Sequence, residues 1–415
     1  MKLEVVTIGT ELLLGHTLDS NGAELGRALA AAGVEVVRRT TVGDRPDAIR
    51  AAVADALQRT GFVVTTGGLG PTRDDETKTV VAEMLGRRLV LDEGVLAALE
   101  ARFKRFGRAM PEVNRGQAFV PEGATVLPNP RGTAPGVWVE DPGGRTVVLL
   151  PGVPGEMRGL LVEEVLPRLL ARAGAGSRVV RSRTVRTTGV PESALAERIG
   201  PIEESIAPLT LAYLPSLFGV DLRLTAWGLV PDEAETRLTD AARRLVQLAG
   251  EHYYGEDDVD LAAHVLARLR QNSHRLGIAE SCTGGLVAER ITAVPGASDT
   301  FIGGVVAYAD AVKAGALNVP LETLTARGAV SEETVRAMAE GAQRLFAVDC
   351  SVAVTGIAGP GGGTPDKPVG TVWLAARVDA DTRVVRRVFP GDRNEIRGRA
   401  AQAALDLLRR HLSAS

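Results

Sequence analysis

Cysteine and lysine are scarce in this 415-residue chain, and each scarcity excludes something. Two cysteines, Cys282 and Cys350, cannot build a disulfide framework, so the sequence points to a reducing compartment. No apolar run approaches the roughly 18 residues of a membrane span. The opening MKLEVVTIGTELLLG is interrupted by Glu4, Thr7 and Glu11 and reads as a first strand and turn, not as a signal peptide. A formal net charge of -3, with arginines spread along helix faces, gives no electrostatic reason to expect nucleic acid. Together these absences predict a soluble cytosolic protein with no membrane partner and no direct nucleic-acid binding. The lysine deficit is of another kind. Only Lys2, Lys78, Lys104, Lys313 and Lys367 stand among 48 cationic side chains. Arginine keeps its proton in a protein, whereas a buried lysine can lose it. A chain that writes Arg almost everywhere but Lys within motifs therefore raises a chemical question, and Lys78, Lys313 and Lys367 all fall within motifs.

What is present is ordinary globular composition, 45% hydrophobic and 24% charged, in a chain too long for one compact core. Residues 1–173 alternate strand and helix patterns: Val5–Ile8, a helix to Ala32 capped by Asp19 or Ser20, Val34–Val42, Pro46–Arg59, Phe62–Thr66, then Thr146–Pro151 and Gly155–Leu170. Such alternation predicts an α/β domain with a parallel sheet covered by helices on both faces. From Gly174 to Gly250 the texture is that of a small α+β unit, followed by GEHYYGED as a linker. Residues 257–415 return to strands alternating with helices, among them Leu276–Ala279, Val305–Tyr308 and Ser351–Thr355, and close on a long helix, Asp392–Leu412. Three domains are expected.

The third block carries three strand-end motifs. Ala279-Glu280-Ser281-Cys282-Thr283-Gly284-Gly285 puts a serine on a tight strand-to-helix turn, presenting its hydroxyl beside backbone N–H groups, as a serine nucleophile with an oxyanion hole requires. Ser281 and Thr283 serve equally as helix N-caps in this pattern. Lys313 follows the next strand, where apolar burial would let a neutral amine take a serine proton; a solvated helix-face charge reads the same. Gly356, Gly359 and Gly361 lie in a glycine-rich loop that lets backbone amides approach a ligand. Arg393 and Arg397, one turn apart at the start of the last helix, suit a phosphate clamp. Loops at the carboxyl ends of one sheet converge on one crevice.

ESCTGG, GGVVAY with Lys five residues on, GAVSEETVRAMA and AVTGIAGPGGGTPDKPVGTVW together resemble the nicotinamide mononucleotide deamidase family over essentially the whole third block. That resemblance implies Ser281 as nucleophile, Lys313 as base, Tyr308 and Thr355 as further site residues, no cofactor, and a binding rim that includes Thr283, Gly284 and Gly285. Where that family usually has Asn two residues after the Tyr, this chain has Asp310, whose charge would disfavour a neutral Lys313.

The first block has its own motif, Thr66-Gly67-Gly68-Leu69-Gly70-Pro71-Thr72-Arg73-Asp74-Asp75-Glu76-Thr77-Lys78. A strand enters a glycine loop and then a helix whose start is acidic. Acids at a helix N-terminus satisfy the dipole alone; a glycine cradle beside carboxylates also suits phosphate bridged by a metal. Gly9-Thr10-Glu11, Ser20-Asn21 and Pro151-Gly152-Val153-Pro154-Gly155-Glu156-Met157 end other strands on the presumed rim. These motifs resemble the molybdopterin-binding fold, and the whole chain resembles the competence/damage-inducible protein A family. That resemblance implies hydrolysis of ADP-ribose dependent on a divalent metal, with Asp74, Asp75 and Glu156 as ligand candidates, Asp75 also catalytic, and Gly9, Thr10, Glu11, Asn21, Gly67, Gly68, Gly70, Thr72, Thr77 and Lys78 as substrate contacts. The middle block resembles a KH-type module but lacks a GXXG loop and a basic face, so it is expected to be a spacer or the unit that pairs chains into a homodimer. Two rival readings stand beside the bifunctional salvage enzyme: a non-enzymatic adaptor in competence or DNA repair, and a molybdopterin-binding protein.

Overall fold

The computed structural model describes residues 1–173 and 178–413. The first boundary expected from sequence, at Gly174, lies outside the described residues. The chain divides into two compact units, Met1–Ser182 with Ala226–Arg237, and Arg183–Thr225 with Leu238–Ser415.

In the first unit, β1 (Lys2–Ile8), β2 (Glu35–Val42) and β3 (Phe62–Thr66) are followed by a short antiparallel pair, β4 (Leu89–Leu91) and β5 (Phe119–Pro121). Then come β6 (Thr125–Leu127), β7 (Gly136–Glu140) and β8 (Thr146–Leu150). The main sheet has the order β2-β1-β3-β8-β7-β6. The four strands β2, β1, β3 and β8 are parallel, but β7 and β6 are antiparallel, so the sheet is mixed and not wholly parallel as the alternation suggested. The reason is local: β7 and β8 are joined by the short Asp141–Arg145 turn, too short for a helical crossover. Alternation along each strand feeds two cores. Val5, Val64 and Val148 join one; Val6, Val63 and Val147 join the other. Helix boundaries follow punctuation: the Asp19 carboxylate accepts the Gly22 N–H at 2.7 Å, and Gly61, at φ 71°, ends the helix Pro46–Thr60 that begins on a proline.

The small sheet runs β10-β11-β9-β12, from β9 (Val179–Thr187), β10 (Thr210–Pro215), β11 (Val220–Leu229) and β12 (Tyr253–Glu256). The GEHYYGED segment expected as a linker therefore supplies a strand, pairing antiparallel with β9. Two adjacent tyrosines favour extended backbone, and Tyr254 is buried in the core below the sheet that follows.

In the second unit, β13 (Leu276–Glu280), β14 (Phe301–Val306), β15 (Cys350–Gly356), β16 (Thr371–Val378) and β17 (Asp381–Val388) form a sheet ordered β14-β13-β15-β16-β17. The strand expected at Val305–Tyr308 starts earlier, because Gly303 and Gly304 extend it where Phe346 lies against the backbone: a Cβ at Gly303 would stand 2.7 Å from Phe346. Tyr308 falls beyond the strand, on the rim. Ile278, Val352 and Leu374 pack on one face; Ala279, Ala353 and Ala375 on the other, where small side chains admit the helix Glu332–Phe346 closely. A capping box between Asp392 and Glu395 starts the last helix, Arg393–Leu412. No helix among the described residues is long and apolar enough to cross a membrane.

Candidate active site

Strands β14, β13 and β15 are parallel neighbours, so their carboxyl ends share one rim. β13 ends in the turn that carries Ser281, with Gly284 and Gly285 at φ 61° and 95°, conformations that glycine adopts without strain. Glu280 fixes this turn. Its buried carboxylate accepts the N–H groups of Gly285 at 3.0 Å, Val287 at 3.1 Å and Ala288 at 2.9 Å. A carboxylate on the first turn of the helix Leu286–Thr292 satisfies donors that the helix cannot, and matches its dipole. Sequence reasoning passed over Glu280. The signal was there: a charged residue ending an otherwise apolar buried strand must find partners nearby.

With those donors engaged by Glu280, two remain. Ser281 N–H donates to Val354 O at 2.9 Å, but among the described residues no backbone carbonyl accepts the N–H groups of Cys282 and Thr283. They follow Ser281 directly along the chain. Among the described residues Thr283 Oγ1 is buried with no partner.

Ser281 opens on a cavity of about 200 Å³ whose wall also includes Tyr308, Asp310, Lys313, Thr355, Gly356 and Arg393. Thus the structure brings together residues from three strand ends and the last helix. Lys313 is 1% exposed; its Nζ donates to Tyr308 O at 3.1 Å and stands 3.4 Å from Asp310 Oδ1. No hydrogen bond joins Lys313 to Ser281; they share the cavity, and such contacts commonly tighten only with substrate. Cys282 also lines the cavity, but burial pushes its thiol up to about 12, which removes it as a rival nucleophile. Thr355 Oγ1 donates to Ala329 O at 2.7 Å, and Lys367 Nζ to Arg327 O at 3.0 Å and Val330 O at 2.8 Å, so both tie the loop before Ser331 to the site. Arg393 bridges Gly359 O at 2.6 Å and Tyr308 Oη at 3.1 Å while facing the cavity. Arg397 reaches Thr283 O at 2.8 Å and does not line the cavity. The two arginines expected to clamp phosphate are thus first of all loop supports, and Gly361 lies exposed outside the cavity wall.

In the first unit, Gly67 and Gly68 have φ of 109° and 67° where β3 ends. A Cβ on Gly67 would stand 2.1 Å from Ile8 O, and one on Gly68 2.1 Å from Thr77 Oγ1. Thr77 locks the loop, its hydroxyl donating to Gly67 O at 3.1 Å. Asn21 Nδ2 donates to Thr66 Oγ1 at 3.0 Å and Gly152 O at 2.8 Å, drawing three segments to one rim, while its Oδ1 is buried without a partner among the described residues. Asp75 Oδ2 accepts from Thr72 N at 2.9 Å and Thr72 Oγ1 at 2.5 Å and lies over Gly70. Asp74 is exposed, and hydrogen bonding to Thr72 holds its carboxyl below the usual range. On the neighbouring segment, Gly9 N donates to Val42 O at 2.9 Å, Thr10 donates twice to Asp44 Oδ2 at 2.8 Å, and Glu11 is exposed.

Two residues of the first unit fall elsewhere. Lys78 Nζ donates to Gly116 O at 3.1 Å, Gln117 O at 3.0 Å and Phe119 O at 2.9 Å, which engages all three of its donors. Burial pushes its ammonium down to about 8 against the pull of Asp75. Glu156 accepts from Asn129 Nδ2 at 2.6 Å and packs against Gly132; burial pushes its carboxyl up, with Asn129 opposing. Among the described residues no three His, Cys, Asp or Glu side chains gather as a metal-holding group, so Asp74, Asp75 and Glu156 do not form one.

The chain is similar to known proteins along its whole length. Residues 258–412 match the family model described as "CinA C-terminal domain", residues 4–171 "Probable molybdopterin binding domain", and residues 182–255 "Damage-inducible protein CinA KH domain". A "CinA-like protein" of Gemmatimonas aurantiaca is 54% identical over 411 residues, covering 99% of this chain and 96% of its own. Another from Salinibacter ruber is 42% identical over 414 residues and covers both chains completely, at 100%. A crystal structure of CinA from Thermoplasma acidophilum is 37% identical, covering 41% of this chain and 97% of its own, with a TM-score of 0.37. Near-complete coverage at such identity, with all three domains in order, places this chain in the CinA, or competence/damage-inducible protein, family.

Proposed function

We propose that the C-terminal domain hydrolyses the carboxamide of nicotinamide mononucleotide to nicotinate mononucleotide and ammonia. The observation that carries this reading is one small cavity lined by Ser281, a buried lysine and an arginine, with the N–H groups of Cys282 and Thr283 next along the chain from the serine. Ser281 Oγ attacks the amide carbon and its proton passes to Lys313 Nζ. The oxygen that gains charge is met by the N–H groups of Cys282 and Thr283. Collapse breaks the C–N bond, the proton returns to nitrogen, and ammonia leaves; water then cleaves the acyl-serine by the same route in reverse. Arg393, on the cavity wall and braced by Gly359 and Tyr308, supplies the cation for the nucleotide phosphate.

For the N-terminal domain, hydrolysis of ADP-ribose to AMP and ribose 5-phosphate is the corresponding proposal. The glycine loop locked by Thr77 presents backbone to a pyrophosphate, and Asp75 and Asp74 stand at its edge. A divalent cation, when bound, would neutralise phosphate oxygens and acidify a water molecule.

A nucleotide panel assayed separately for ammonia and for AMP tests both proposals. Ammonia from nicotinamide mononucleotide and AMP from ADP-ribose are expected. A chain releasing neither would favour the adaptor reading, or, for the first domain, pterin binding.

A further inference from the structure

We infer that the second unit has a binding site, separate from the catalytic cavity, for a small organic anion with a flat apolar portion. A cavity of about 360 Å³ lies where Pro191, Leu217 and Phe218 face the middle of the last helix. Its volume falls in the range of small-molecule sites, and none of its lining residues belongs to the catalytic cavity.

The polar wall is one stripe of the last helix, where Arg399, Gln402, Ala403 and Asp406 recur at the spacing of a single helix face. Its charges are not balanced. Asp406 is neutralised by two arginines, accepting from Arg409 at 2.9 and 2.6 Å and from Arg410 at 2.8 Å. Gln402 is satisfied at both ends, by Arg290 at 2.7 Å and Thr188 Oγ1 at 3.1 Å. Glu192 is exposed at the rim. Arg399 is different: among the described residues it has no hydrogen bond and no ion pair, and its Nε is buried without a partner. This chain gives nearly every other half-buried arginine a carboxylate or carbonyl. A guanidinium left without one, facing a cavity, asks for an acceptor from outside.

The opposite wall is apolar. Leu217 packs against the helix so closely that a Cβ on Gly398 would stand 2.6 Å from it, and Phe389 closes one side. Phe218, 42% exposed, has one ring face covered by Arg290, whose guanidinium lies over it at 5.0 Å from the centroid, and keeps the rest of the ring for the cavity. A planar ring carrying a carboxylate or phosphate satisfies both walls: the ring against Phe218 and Leu217, the anion on Arg399.

Calorimetric titration of the full chain tests this with AMP and nicotinate as phosphate and carboxylate probes, and adenosine and nicotinamide as their neutral counterparts. At least one anion should bind saturably, and the probe that does identifies the acidic group. Arg399→Met should weaken that binding roughly tenfold or more, as loss of a charge-assisted pair does. Arg393→Met, in the catalytic cavity, should leave it unchanged. Ala403→Leu, which fills the cavity but keeps the charge, should weaken it as well, and thermal melting confirms that each variant folds. Absence of saturable binding, equal binding to Arg399→Met, or equal binding of the neutral counterparts would overturn the proposal.

Discussion

Lys78 and Lys313 are buried to nearly the same degree, 6% and 1% exposed, in a chain with only five lysines among its 48 cationic side chains. Their surroundings differ. Three backbone carbonyls occupy the three donors of Lys78, so it acts as a staple between the helix Thr77–Met84, which starts after the acids Asp74, Asp75 and Glu76 and carries none in its first turn, and the segment around Gln117. Lys313 has one carbonyl and one exposed carboxylate, and the remainder of its reach opens on a cavity shared with Ser281. The comparison teaches that equal burial can leave two lysines with different numbers of committed donors, and under the proposed function the uncommitted one is the base. A compact ammonium suits both places, since a planar guanidinium cannot converge three donors on three carbonyls or act as a proton acceptor.

The comparison breaks most visibly at Lys313. Lys313→Met should lower kcat for ammonia release by about 10²- to 10⁴-fold, the usual size of a lost proton-transfer group, and Lys313→Arg should fare no better. An active Arg variant with only a raised KM would make Lys313 a binding cation. In the first unit, Asp75→Asn, or excess chelator, should cut AMP release from ADP-ribose by about a hundredfold or more while ammonia release stays unchanged; AMP production undiminished by chelator would remove the cation from the account. Glu280→Gln tests whether the turn is held by charge. It should lower kcat roughly tenfold with little change in KM, because an amide cannot accept three N–H groups as a carboxylate does; an unchanged kcat would make Glu280 a helix cap and nothing more. Lys78→Met gives the smallest functional effect. It should cost about 2 kcal/mol of stability, the scale of carbonyls left without donors in a buried place, seen as a lower melting temperature with deamidation intact.

The strand-end motifs were legible because each puts a candidate residue at a fixed offset from an apolar run: Ser281 after β13, Tyr308 and Lys313 after β14, Thr355 at the end of β15. The mixed sheets and the strand Tyr253–Glu256 were less so, since pairing partners lie far along the chain and composition does not name them. The same blindness hid the partners of polar groups. Lys78 finds its carbonyls 38 to 41 residues away, and Glu156 finds Asn129 27 residues away. A rim read from sequence as one set of ligands is in the structure divided, with Lys78 and Glu156 engaged elsewhere. Glu280 was missed for the opposite reason: its partners are only five to eight residues on, but a motif read for its nucleophile drew attention past the residue that holds the turn.

The central claim, that Ser281 is the nucleophile of an amide hydrolase, is tested most directly by ammonia release from nicotinamide mononucleotide in Ser281→Ala, measured beside its melting temperature. The account predicts a loss of about 10³-fold or more, on the scale of other deleted serine nucleophiles, with the melting temperature nearly unchanged. A variant that keeps more than roughly a tenth of the turnover, or that loses about 1 kcal/mol of stability as a missing helix cap would while turnover persists, contradicts it.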